Sequence, residues 1–198
     1  ALKSNIFEAR EFAKNMALRA GVALLYAHWE GLIKNIATAY LSYVSMQKLR
    51  YKDLKNNFWS ISIKNNLSVL EETKKASKHN RIIFDIRNMH EEKSNIPYED
   101  VIVTKSNLNS DVFIEIMETI GLDYSNYENN FKLLDSVLLR MRNQIAHGEK
   151  TEYIDLDEQR FDEIYERILG MMNMFTTQVL NAACLEEYRV KDRNDVMT

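Results

Sequence analysis

GVALLYAHWEGLIKNIATAYLSYVSM, residues 21–46, decides the fold. Along it Leu25, Trp29, Leu32, Ile36, Tyr40 and Tyr43 recur at three- and four-residue steps. That spacing lines one side of an α-helix, whereas a strand would alternate at every second residue. A helix this long with one apolar stripe has to bury it against other helices.

The flanking sequence supplies those helices. Asn5 to about Leu18 reads as a first helix, with Ile6, Phe7, Phe12 and Met16 among its apolar positions. Asn109 or Ser110 is a suitable N-cap for a helix through Ile120, and Gly121 stands just past its end. Asn126 to His147 predicts another, with Phe131, Leu134, Leu138, Met141 and Ile145 as its stripe and Gly148 as terminator. Asp155 or Asp157 caps the last one, where Phe161, Ile164, Ile168, Met171, Phe175, Val179 and Ala182 keep a near-heptad spacing. Between the helix pairs, residues 50–106 form a partly irregular insert. Leu54, Phe58, Ile61, Leu67 and Leu70 predict one helix in it, and Arg81 to His90 a shorter one. Ser94 to Ser106, with Pro97 and the β-rich Val101-Ile102-Val103-Thr104, is expected to be looped or to pair as a short strand. The expected architecture is all-α: an up-and-down helical bundle in a single domain over residues 1–198.

Composition agrees. The 198 residues include one Pro and five Gly, so little interrupts a helix. Hydrophobic residues make up 45%, enough for a sizeable core, and no apolar run reaches the length of a membrane span. The net charge of −3 argues against a protein that coats nucleic acid. Any such contact has to come from a few placed cations. Cys184 is the only cysteine, which rules out an intrachain disulfide; its apolar surroundings predict packing. No charged-then-apolar leader stands out, so the cytoplasm is the expected compartment.

The sharpest local feature is Arg142-Asn143-Gln144-Ile145-Ala146-His147-Gly148. If Ile145 and Met141 face the core, Asn143 and His147 share a face about 200° away from Ile145. Arg142, about 100° from Asn143, is long enough to reach the same cleft. A cation, a carboxamide and an imidazole therefore converge at one helix end. Cleaving RNA at its own 2′-hydroxyl takes a base to remove that proton and an acid to protonate the departing 5′-oxygen. Histidine serves either role near neutral pH, and arginine grips phosphate oxygens bidentately. One chain offers one such histidine, so a two-fold dimer apposing two helix ends would supply both. The same residues have a plain reading too: cations near a helix C-terminus are favoured by the dipole alone.

Resemblance sharpens the choice. Arg142 to His147 resembles the R-x4-H motif of the HEPN superfamily. Tyr26-Ala27-His28-Trp29-Glu30-Gly31 and Tyr40-Leu41-Ser42-Tyr43-Val44 resemble a bacterial branch of HEPN-like nucleases. So do Thr104-Lys105-Ser106-Asn107-Leu108 with Gly121-Leu122, and the motif block through Gly148-Glu149. The resemblance implies a bundle that dimerises through its motif-bearing helices. It implies metal-independent RNA cleavage leaving a 2′,3′-cyclic phosphate and a 5′-hydroxyl, without cofactor. It also implies a toxin–antitoxin or phage-defence setting, with an antitoxin or defence-system protein as partner. Arg142 and His147 carry over as catalytic residues, with Asn143 as polar neighbour. One subgroup has a modifiable tyrosine three residues after the histidine; here Lys150 stands there, and Tyr153 is the nearest tyrosine.

Other candidates are secondary. Glu30 either supports the Arg142 cleft or pairs with Lys34. Lys74, Lys75, Lys78, Arg81 and Arg140 are candidates for RNA backbone contacts, against an ordinary solvated surface. Tyr43, Tyr51, Phe58 and Trp59 either stack bases or pack in the core. His28 and Glu30 point apart, and His90-Glu91-Glu92 lacks a partner at metal-ligand spacing, so no metal site is expected. Two other functions remain open on the residues alone: a non-catalytic dimerisation or adaptor module, and a nucleotide-binding sensor.

Overall fold

A computed structural model of the chain describes residues 11–105, 107–147 and 156–190. Those residues form an all-α helical bundle. In order, its helices are α1 (Glu11–Met46), α2 (Asn56–Glu72), α3 (Ala76–Asn88), α4 (Ser110–Ile120), α5 (Glu128–Leu133), α6 (Arg140–Ala146) and α7 (Glu158–Cys184). A π-helical turn, Leu134–Leu139, joins α5 to α6.

The residues gather into two compact units. The first takes in the chain up to Asn35, Thr104–Glu115 and Tyr124–Thr177. Its core is Leu18, Val22, Leu25, Trp29 and Ile33 of α1 with Phe161, Ile164, Ile168 and Phe175 of α7, all buried. Phe113 of α4 sits at its centre, with the rings of Trp29, Tyr127, Phe131 and Phe175 at centroid distances of 5.5, 4.9, 6.4 and 6.1 Å. Such tilted and edge-on contacts are the favoured aromatic geometries. Two side chains cap its helices as expected. Asn109 Oδ1 accepts from the Val112 N–H at 2.8 Å, and Asp157 Oδ1 from the Arg160 N–H at 2.7 Å.

The second unit comprises Ile36–Val103, Ile116–Asp123 and the chain from Gln178. Tyr40, Leu41, Val44, Leu54, Phe58, Ile102, Met117 and Tyr188 build its core. Its irregular stretch is tied down through the backbone: the Ser94 N–H donates to Leu49 O at 2.7 Å, and the buried Ser45 hydroxyl to Ile96 O at 2.8 Å. Gly121 ends α4 at a φ of +72°, a conformation glycine adopts without strain. A Cβ there would lie 2.7 Å from Asn57 Oδ1, the side chain whose amide holds Thr119 O at 2.9 Å.

Several expectations need correction. No break separates the first two predicted helices; α1 runs 36 residues through Ala20-Gly21. Its buried stripe passes through Ile33 and Ala37, not Leu32 and Ile36, and Tyr43 is exposed. Four-residue steps from Trp29 follow the helix face more closely than the three-residue step chosen from sequence. Among the described residues no strand forms: Val101–Thr104 stays irregular, and the only bridges are isolated ones, Arg50 with Lys93 and Leu54 with Arg189. The helix expected from Asn126 to His147 contains the π turn. Met141 and Ile145, beyond the turn, are half-buried, as is Phe131 before it, while Leu133 and Leu139 are buried. Cys184 is exposed, because it falls on the outer side of the last turn of α7. Expectations for Asn5, Ile6, Phe7, Gly148, Lys150, Tyr153 and Asp155 lie outside the described residues.

Candidate functional site

The motif helix α6 follows directly on the π turn. A π turn takes an extra residue into the helix, so the stripe that buries Leu134 and Leu138 does not continue through the motif. No residue of Arg140–Ala146 is fully buried. The polar residues of the motif are thereby left accessible at the end of a helix whose preceding turns are anchored in the core.

Within α6 the α register holds. The His147 N–H donates to Asn143 O at 2.9 Å, which keeps the two side chains on one face. His147 closes the helix with φ −86° and ψ 1°, and its side chain is exposed. Arg142 reaches across to α1. Its Cζ lies 4.3 Å from the centroid of the Tyr26 ring, a cation–π stack. Its Nη1 donates to Asn143 Oδ1 at 2.7 Å. Because the carboxamide oxygen accepts from Arg142, Asn143 presents its amide as donor.

Tyr26 comes from α1 and is buried. The Leu108 N–H donates to its Oη at 2.6 Å. Burial pushes the phenol pKa up, the Leu108 N–H pulls it down, the Glu30 charge raises it and the Arg142 guanidinium lowers it. Glu30 and Arg142 are therefore both within electrostatic reach of one phenol, and Glu30 is half-buried one turn after Tyr26. Two residues beyond Leu108, Ser110 grips the π turn: its N–H donates to Asp135 Oδ1 at 2.8 Å and its hydroxyl to Oδ2 at 2.5 Å. Three of the sequence blocks singled out above thus meet at one ring, through Tyr26, Leu108 and Arg142.

The structure brings together Arg142, Asn143 and the neighbourhood of Glu30, all in the first unit. Arg140 is exposed on the same short helix. Lys74, Lys75, Lys78 and Arg81 belong to the second unit, exposed at the start of α3 and just before it. Arg81 is engaged with Asp85 at 3.3 Å. Tyr51 and Phe58 are buried, and Trp59 donates to Tyr51 O at 2.5 Å, so these rings pack within the second unit. Among the described residues, no cluster of three or more His, Cys, Asp and Glu is placed to hold a metal ion. No helix among them is long and apolar enough to cross a membrane. Sequence reasoning missed Tyr26 as part of the site. Its only signal was its place one turn before Glu30, in the block that resembled the nuclease branch.

The helical bundle is a HEPN domain, of a class of nuclease or nucleotide-binding-type modules that often dimerise. The chain belongs to the HEPN_MAE_28990-like HEPN family, whose model matches residues 3–188. No curated protein and no solved structure matches it.

Proposed function

We propose that the chain is an endoribonuclease, cutting RNA by 2′-hydroxyl attack at a site shared across a homodimer, and that it acts in the cytoplasm as a bacterial toxin or defence effector. One observation carries this reading: Arg142 is held by the Tyr26 ring and the Asn143 carboxamide, while His147 on the Asn143 face is exposed at the helix end. A fixed guanidinium suits a phosphate oxygen that gains charge in the transition state. An exposed imidazole suits proton transfer. One His147 acts as base and its copy in the partner as acid. Asn143 donates to phosphate or imidazole, Glu30 supports the guanidinium electrostatically, and Arg140 meets the RNA backbone. Lys74, Lys75, Lys78 and Arg81 add exposed cations for the same purpose. An antitoxin or defence-system protein is the partner this role calls for.

The test is an incubation of purified protein with single-stranded RNA in EDTA. Cleavage should proceed and leave 2′,3′-cyclic phosphate and 5′-hydroxyl ends. Intact RNA across protein concentrations above the dimer Kd would defeat the reading and leave an adaptor; stabilisation by a nucleotide without cleavage would indicate a sensor.

The dimer has a surface to use. Met16, Ala20, Leu24 and Ala27 are exposed along α1, with Met16 61% and Leu24 44% exposed. Their spacing keeps them within about 80° of arc, and Ala27 lies about 60° from Glu30. This stripe borders the Glu30 edge of the site, and a second copy of the chain is the occupant that would complete that site. Leu24→Asp should weaken the dimer about tenfold or more, since a carboxylate is costly to bury at an interface. Cleavage should fall in parallel, as read by sedimentation and RNA gels on the same samples. A variant that stays dimeric at wild-type concentrations would remove α1 from the interface.

A further inference from the structure

We infer that Tyr26 is a positioning residue for Arg142: its ring face holds the guanidinium in the orientation that phosphate contact requires, and its hydroxyl locks the ring in place. The functional half of this inference rests on the cleavage reading above; the structural half does not.

A guanidinium at a helix end needs a tether before it can grip phosphate in one pose. An arginine side chain has about 2 kcal/mol of rotamer entropy to lose, so an untethered one contacts phosphate in many poses. A tether must hold the planar group without using up all its N–H donors. A carboxylate would occupy two donors and cancel the charge. An aromatic face attracts the cation through the ring quadrupole without cancelling its charge. Arg142 stands 4.3 Å over such a face, hydrogen-bonds the Tyr26 side chain and donates from Nη1 to Asn143 Oδ1.

A flat ring is useful as a platform only if it cannot rotate or tilt. Tyr26 is 2% exposed, so packing confines its body. Its oxygen accepts the Leu108 N–H at 2.6 Å, which fixes the ring edge to a backbone that is itself buried at Leu108. Ser110, two residues on, holds Asp135 in the π turn by two hydrogen bonds. The motif helix is therefore clamped twice by one short segment. Leu108 acts through the Tyr26 platform beneath Arg142, and Ser110 acts on the turn from which α6 starts. Phenylalanine would supply the face without the lock, and leucine neither.

Two measurements test this on the full-length protein. The first is independent of activity. A guanidinium stacked on a ring face has its Nε–H proton signal moved upfield by the ring current. In NMR spectra of arginine-labelled protein, the Arg142 signal, assigned by its loss in Arg142→Lys, should lie upfield. It should move downfield toward the ordinary arginine position in Tyr26→Leu and stay upfield in Tyr26→Phe. An Arg142 signal that ignores Tyr26→Leu overturns the proposal, whether or not the protein cuts RNA.

The second measurement is single-turnover cleavage. Tyr26→Leu should slow cleavage about 10- to 100-fold, the scale expected when a catalytic group is misplaced by about an ångström. In an Arg142→Ala background the same change should cost less than about threefold, because the group it positions is gone. Equal losses in both backgrounds would mean that Tyr26 acts through general stability, and would overturn the positioning role. Should Tyr26→Leu not fold, Tyr26→3,4,5-trifluorophenylalanine takes its place beside Tyr26→Phe. It nearly preserves the ring's shape but removes the negative potential of its face. Slower cleavage than Tyr26→Phe supports the platform; identical rates overturn it. RNA left intact by the wild-type protein would fail the cleavage reading alone, with the NMR comparison still deciding whether Tyr26 holds Arg142.

Discussion

His147→Ala lowers the rate of RNA cleavage about 10²- to 10⁴-fold, the usual contribution of a positioned general acid or base. The loss should fall on the chemical step. The imidazole is exposed at the end of α6, and no hydrogen bond from its ring ties it to the core among the described residues. Alanine removes it without opening a cavity. An exposed substitution of this kind changes stability by about 0.5 kcal/mol at most, so the melting temperature should move by about 1–2 °C. The dimer should persist in sedimentation. If both protomers contribute to each site, a mixed dimer of His147→Ala with wild type should be nearly as impaired as the double variant, because each composite site then lacks either its acid or its base. Cleavage by His147→Ala within tenfold of wild type would remove histidine chemistry from the account.

Phe113→Ala has the largest expected effect on stability. The ring is fully buried among Trp29, Tyr127, Phe131 and Phe175. Truncating a core phenylalanine costs about 3–5 kcal/mol through lost transfer energy and an unfilled cavity. For a chain of this length that lowers the melting temperature by roughly 10 °C, which differential scanning calorimetry reads directly. Leu67→Ala is the matched contrast. Leu67 is 41% exposed on α2, and its truncation should cost well under 1 kcal/mol. Equal shifts for the two variants would mean that Phe113 does not organise the core.

Most of the helices were legible because little competes with them. One proline and five glycines leave few places to stop, and apolar stripes at helical spacing have one economical interpretation. The caps at Asn109 and Asp157 were legible for the same local reason. What failed was whatever depends on tertiary packing. Ala20-Gly21 looked like a junction, yet Gly21 is buried between apolar turns and α1 passes through it. The stripe of α1 shifted to Ile33 and Ala37 because the surfaces that bury it, rather than apolarity alone, choose among neighbouring hydrophobic positions. Val101–Thr104 has strand-like residues but no strand beside it among the described residues. At the site, Arg142, Asn143 and His147 could be placed on one helix end from spacing. Tyr26 could not be placed there, because a tyrosine in an apolar stripe reads as core, and this one is core as well. Its second face, turned to Arg142, exists only once α1 and α6 are side by side within the first unit.

The π turn at Leu134–Leu139 also bears on how this chain can change. A helix with one surplus residue lodged in its middle behaves as two segments with separate tolerances. Positions before and within the turn answer to volume, since Leu133, Leu134 and Leu138 are buried. Downstream positions answer to chemistry and solvent. Loss of a single residue there would restore a seamless spiral and swing the Arg142 end by about a quarter turn, away from the ring that receives it. Substitutions in this stretch are therefore expected to accumulate more freely than changes in its length.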